Sequence, residues 1–259
     1  RVSSKTNLEK IYRQKKGTML SCFHGPVEKY NNIKFFQNGY KRIYDKTLVL
    51  GRKDCLTDYC LPIGIPSNDN LKDRKIHPNH ILVIVNFVGN IKSVIGFKPF
   101  PITFDDRLVS ELDFERLQKK LDVPIIIKLK SRAGEGNKQV TRNQSYIESI
   151  MPNVNYSIVI DANNDELICN SKLVISCPGT FALKSIQLGI PTVLIEGSNE
   201  DGHFPLFKGF VPPAKRSIKQ KIEEMMKSSK DDNFINEVIE GGSDFSSTEK
   251  MIEVIEDCL

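Results

Sequence analysis

The chain of 259 residues has no tryptophan and only four histidines. No apolar run approaches the roughly 18 to 20 residues that a membrane-spanning helix needs, so a span of that kind is excluded. Its aromatic residues show no stacked pattern of the sort that holds single-stranded nucleic acid, and no nucleic-acid motif accompanies its basic residues. A specific nucleic-acid partner is therefore not expected. Six cysteines, Cys22, Cys55, Cys60, Cys169, Cys177 and Cys258, are scattered without the paired CxxC spacings of a zinc site. They read as reduced thiols of a cytoplasmic protein, and no metal site is expected. Internal repeats and low-complexity tracts are absent. The residues after Arg1 are polar and charged, without the apolar core of a signal peptide, and the chain opens without Met, as a fragment or trimmed form would.

What is present is the composition of a globular protein, 39% hydrophobic and 27% charged, with a mean hydropathy of -0.29. The length fits one large domain or two smaller ones. The net charge of +5 is unevenly spread: residues 1–53 hold 13 Lys and Arg against 3 Asp and Glu, whereas residues 219–259 hold 5 against 11. A basic front favours anionic partners.

The most legible stretch is Lys172 to Glu196, KLVISCPGTFALKSIQLGIPTVLIE. Lys172 to Cys177 is a β-branched apolar run, as in a parallel strand buried on both faces. Pro178, Gly179 and Thr180 break it, and Thr180 reads as a helix N-cap. Phe181, Ala182, Leu183 and Ile186 then make a helical apolar face, and Gly189 with Pro191 stops it before a second strand. A strand-helix-strand unit connects right-handed and parallel, which puts the turn at the carboxyl edge of the sheet. There the backbone N–H groups and the positive end of the helix dipole suit a phosphate.

Around this unit the pattern predicts strands at Thr18–Phe23, Lys46–Leu50, His80–Val88, Val123–Leu129 and Tyr156–Asp161. Helices are predicted over Phe104–Leu121, Asn143–Met151, Asp165–Cys169, Ile218–Met226, Phe234–Ile239 and Thr248–Cys258. Leu61–Pro66, LPIGIP, reads as a linker. The fold class expected is α/β, a doubly wound parallel sheet of Rossmann-like type. Residues 1–62 would be a short part of an amino-terminal α/β domain and residues 63–259 a carboxyl-terminal Rossmann-like one.

The order of these pieces resembles the carboxyl-terminal half of the GT-B glycosyltransferases and their relatives, the non-hydrolysing UDP-GlcNAc 2-epimerases among them. The resemblance rests on Val174 to Ser176, Gly179 with Thr180, Gly189 to Pro191, the early His24-Gly25 and Gly64 to Pro66, and it spans most of residues 18–212. It implies a GT-B-type fold and metal-independent transfer of a sugar from a nucleotide-sugar to a surface-polysaccharide, glycolipid or other anionic acceptor. It requires no cofactor beyond the donor. The residues it implicates in the donor site are Lys130, Arg132, Ser176, Pro178, Gly179, Thr180, Lys184, Glu196 and His203, with His24 as the base.

Each role has a chemical reason. Gly179 and Thr180 would cradle the diphosphate, and Lys130, Arg132 and Lys184 would offset its charge. His24, with an unperturbed pKa near ~6.5, suits proton abstraction from the acceptor hydroxyl. Two positions depart from the family pattern. Lys184 stands where many relatives carry a glutamate that contacts the ribose, and a lysine cannot accept those hydrogen bonds, which leaves the ribose to another group such as Glu196. KLKSRAGEG replaces a K-x-H-P motif without its histidine. The alternatives are a sugar-nucleotide 2-epimerase and a non-catalytic nucleotide-binding subunit that needs a partner chain. Asp105, Asp106 and Glu111 fall on a helix surface, so a paired-carboxylate glycosidase is disfavoured. The expected location is cytoplasmic, with peripheral association at the inner face of the membrane.

Overall fold

The computed structural model describes residues 20–22, 46–52, 60–85, 87–88, 103–104, 109, 111–129, 144–176, 179–195, 209–210 and 218–258. The chain forms two compact units, Asp73–Lys230, and Arg1–Lys72 together with Asp231–Leu259. The first of these in chain order runs to Lys72 and takes in the acidic closing segment.

The larger unit is built on five parallel strands in the order β10-β9-β4-β7-β8. These are β4 (His80–Val85), β7 (Ile125–Leu129), β8 (Tyr156–Val159), β9 (Ser171–Ser176) and β10 (Thr192–Leu194). Every residue of β4 is buried, which is why it reads as an unbroken apolar run rather than an alternating one. It pairs with β7 from Ile81↔Ile125 to Val85↔Leu129 and with β9 through Leu82↔Val174. The predicted strand to Val88 ends at Val85. Phe87–Val88 (β5) pairs instead with Thr103–Phe104 (β6) in a separate two-stranded ladder, a change of partner that a continuous apolar run conceals. Thr103 and Phe104 also show that the predicted helix begins later than Phe104.

Side chains on a strand alternate between faces, and both faces of this sheet are covered. Ile81, Val83, Val85, Ile125, Ile127, Leu173 and Ile175 pack with Phe114, Leu117 and Leu121 of helix α1 (Phe114–Leu121), with Ile147 of α2 (residues 144–150) and with Ile222 of a later helix. Leu82, Ile84 and Val174 pack on the other face with Ile168 of α3 (Asn164–Cys169) and with Phe181 of α4 (Thr180–Gln187). Ile222 belongs to α5 (Ile218–Met225). Two side-chain caps start these helices: Asp113 accepts from the Arg116 N–H, and Asn163 accepts from those of Asp165 and Glu166. Parallel strands with helices on both faces are the doubly wound architecture expected.

The strand order fixes where a ligand belongs. From the central β4 the chain builds outward through β7 and β8, then returns to β4's other edge for β9 and β10. The reversal makes the carboxyl ends of β4 and β9 the topological switch point, where open α/β sheets hold ligands.

The smaller unit carries β1 (Leu20–Cys22), β2 (Lys46–Val49) and β3 (Cys60–Pro62), parallel in that order. It also holds α6 (Asp232–Val238) and α7 (Ser247–Cys258). Leu61–Pro66 is not the linker expected. Its first residues belong to β3, and Ile63 and Gly64 donate to the carbonyls of Val49 and Leu50 at 2.9 Å each. Gly64 takes φ +75, and a Cβ there would meet the Glu240 carbonyl oxygen and Ser247 Oγ at 2.1 Å, so only glycine fits. A 3-10 turn at Pro66–Leu71 follows. Its Asp69 carboxylate accepts from the Ser247 and Thr248 N–H groups at 3.2 and 2.6 Å, capping α7.

Candidate functional site

The site is assembled from the carboxyl end of β9 outward. Ser176 is the last residue of the strand and is buried, and its carbonyl accepts from the Ile195 N–H at 2.9 Å. The strand is thereby anchored up to the residue that precedes the turn. Gly179 is extended, with φ 165 and ψ -173, and occupies the cap position of α4. Thr180 is the first helical residue rather than the N-cap that the sequence suggests, and α4 has no side-chain cap. The reason is positional: a side chain caps from the residue before the helix, and there the chain has a glycine, which has none.

That substitution of glycine for a capping residue matters chemically. The first intrahelical bond runs from the Leu183 N–H to the Gly179 carbonyl at 3.0 Å. Among the described residues, the N–H groups of Thr180, Phe181 and Ala182 have no acceptor. They point along the axis at the positive end of the helix dipole. Among the described residues, a Cβ built on Gly179 would meet nothing within 4 Å, so their packing places no demand for glycine here, unlike Gly64. The open space lies directly beside free donors, which is the arrangement an anion requires.

The rest of α4 is fastened so that this end cannot drift. Thr192 Oγ1 on β10 lies 2.9 Å from Ser185 Oγ and 2.8 Å from the Ile190 carbonyl, within hydrogen-bond reach of both. Ser185 Oγ donates to the Ala182 carbonyl. Gly189, at φ +73, makes the stop that the sequence announces. On the flank, Lys184 Nζ lies 2.6 Å from Asp165 Oδ1 of α3, with side-chain exposures of 17% and 19%. Lys184, expected to help offset the diphosphate charge, is thus ion-paired within the chain. Its charge is already matched by a carboxylate.

Lys128 is a further residue at this edge. It lies inside β7 and is buried. Its ammonium donates to the Ile160 carbonyl at the end of β8 and to the Leu129 carbonyl at 3.3 Å. Burial pushes its pKa down, and the nearby Asp161 carboxylate works in the opposite direction. The signal that could have found it is a lone lysine within an otherwise apolar parallel strand, IIIKL. Asp165 left no such signal, because its partner lies on a different helix.

At the opposite, amino end of β4, His80 is buried. Its Nδ1 is 2.7 Å from Asn79 Oδ1, and its Nε2 is 2.9 Å from the Leu167 carbonyl and 3.2 Å from Ser171 Oγ. Burial lowers its pKa. It ties α3 to the sheet and stands away from the carboxyl edge. Of the predicted site residues, Ser176, Gly179, Thr180 and Lys184 fall together on β9 and α4. His24, Lys130, Arg132, Pro178, Glu196 and His203 lie outside the described residues.

No family model matches the sequence, and no curated protein sequence is similar to it. Solved structures do match. MnaA of S. aureus, solved with UDP, superposes with a TM-score of 0.52 at 11% identity, over 100% of this chain and 79% of that one. Anabaena HepE, also solved with UDP, gives 0.52 at 13% identity, over 95% of this chain and 73% of its own. At these identities what is shared is the fold, and it is the Rossmann-like α/β fold of GT-B type that the sequence pattern implied.

Proposed function

We propose that the chain is a GT-B-type glycosyltransferase that moves a sugar from a nucleotide-sugar donor to a surface-polysaccharide, glycolipid or other anionic acceptor. The observation that carries this reading is the uncapped start of α4 beside the open space at Gly179, at the switch point of a fold whose solved counterparts MnaA and HepE hold UDP.

In this reading the donor diphosphate lies on the N–H groups of Thr180, Phe181 and Ala182, where dipoles already aimed at it stabilise the charge that grows as it leaves. Lys130 and Arg132 supply the remaining positive charge, so the backbone and these side chains take the part that a bound ion plays in other transferases. Ser176, Pro178, Glu196 and His203 complete the donor contacts. The acceptor hydroxyl oxygen attacks the anomeric carbon as its bond to the diphosphate breaks, and His24 takes the hydroxyl proton. The basic front of the chain draws an anionic or lipid-linked acceptor, at the inner face of the membrane, with a partner chain or oligomer contributing to the acceptor side.

A thermal-shift series against UDP, GDP, CDP, CMP and their sugar conjugates tests the reading. A ligand that binds only the native state raises the melting temperature, by the equivalent of about 2.7 kcal/mol at 100 times its Kd. A rise with one diphosphate nucleotide and its sugar conjugate is expected, and no rise with any of them rejects the proposal. With the donor in hand, His24→Ala is expected to cut turnover by about 10²- to 10⁴-fold while donor affinity holds. Unchanged turnover removes His24 from the base role.

A further inference from the structure

Resting on that donor-site reading, we propose that Asp165 is the carboxylate that accepts the hydroxyl hydrogen bonds of the donor's ribose, and that Lys184 is the residue that positions it. Lys184 follows Thr180 by four residues, so the two share one face of α4 about 6 Å apart. Thr180 is exposed and Lys184 partly so. The Lys184 ammonium reaches from this face to Asp165 Oδ1 at 2.6 Å, which stations a carboxylate beside the helix whose first turn carries the free N–H groups. In a nucleotide bound by its diphosphate at those N–H groups, the ribose is the next group along.

The exposures distinguish this pair from the ion pairs that decorate the surface. Lys119–Glu115 and Lys120–Glu223 leave their side chains 74% and 43%, and 56% and 53%, exposed. At 17% and 19% the Asp165–Lys184 pair is sheltered yet open to solvent. Lys184 occupies Oδ1, and among the described residues Oδ2 has no partner. The backbone leading into Asp165 is held at two points. The Lys128 ammonium fixes the Ile160 carbonyl, and the Asn163 side chain accepts from the Asp165 N–H at 3.1 Å. An ionised carboxylate is acceptor-only, so it pairs with hydroxyl donors as a lysine cannot, and an acceptor fixed beforehand loses little freedom on binding.

The test compares the Kd of UDP with that of 2′-deoxy-UDP and 3′-deoxy-UDP by calorimetry. The proteins are the full chain, Asp165→Ala, Lys184→Met, Lys184→Arg and the double variant Asp165→Ala with Lys184→Met. Hydrogen bonds to a charged group predict that the unaltered chain prefers UDP by about 10-fold or more. Asp165→Ala brings that ratio close to one, Lys184→Met reduces it, and Lys184→Arg restores it. The double variant, which leaves no unpaired charge, reads the ratio should Asp165→Ala melt. A pair that only ties α3 to α4 would lower the melting temperature when broken and leave the ratio unmoved, and that result overturns the inference while UDP binding keeps the donor-site reading. A ratio near one in the unaltered chain overturns it as well. No binding of UDP at all removes both.

Discussion

Gly64 and Gly179 both stand out in the sequence as punctuation, one in GIP and one in PGT, and the structure gives them opposite reasons to be glycine. Gly64 sits at φ +75 with the Glu240 carbonyl and Ser247 Oγ 2.1 Å from where a Cβ would be, whereas Gly179 is extended and faces no described atom within 4 Å. The first glycine is required by the chain's own packing. No described contact requires the second, and it stands beside three uncapped N–H groups, where the proposed diphosphate would lie. Fold and function can leave the same letter in a sequence, and only the surroundings separate them.

The largest effect expected from this contrast is at Gly64. Gly64→Ala must adopt a left-handed backbone and displace the closing segment at Glu240, so urea unfolding should show a loss of about 4 kcal/mol or more, or no folded protein. A loss under about 1 kcal/mol would erase the distinction drawn here. Lys128 is the next probe, because a buried ammonium is a cost that packing alone does not explain. Lys128→Met should leave stability at pH 7 unchanged or raise it by about 1 kcal/mol, since the buried charge is relieved. A fall of about 3 kcal/mol would class Lys128 with Gly64 as a residue the fold depends on.

His80 gives a smaller effect with a definite sign. Its folded pKa is lowered from 6.5, so the unfolded chain takes up the proton first as pH falls. The contribution of neutral His80 is fully present above 6.5 and is lost as pH drops from 6.5 through the folded value. The melting temperature of the unaltered chain should fall faster between pH 7.5 and 5 than that of His80→Gln. Parallel curves would show that His80 does not carry the dependence.

Much of this architecture was legible because it rests on local pattern. The β-branched runs of β4, β7 and β9 announced buried parallel strands, and Gly189 with Pro191 announced the end of α4. What escaped depended on partners distant in sequence. Asp231–Leu259 returns to the first unit because Asp69 caps α7, and no local feature of either segment shows it. Thr180 looked like a cap because Thr commonly is one, but that role falls to the residue before the first helical turn, and only backbone geometry identifies which residue that is. The pairing of Lys184 with Asp165, nineteen residues earlier, leaves no local signal either. The stretch that carries the site was therefore recognisable, while the electrostatic state of its side chains was not.

The most direct test of the central claim is the effect of Gly179→Val on folding and on UDP binding in the same preparation. The account predicts urea stability within about 0.5 kcal/mol of the unaltered chain, together with loss of the melting-temperature rise that UDP produces. A variant that unfolds would make Gly179 a packing residue like Gly64, and a stable variant that still binds UDP would place the diphosphate somewhere other than the start of α4.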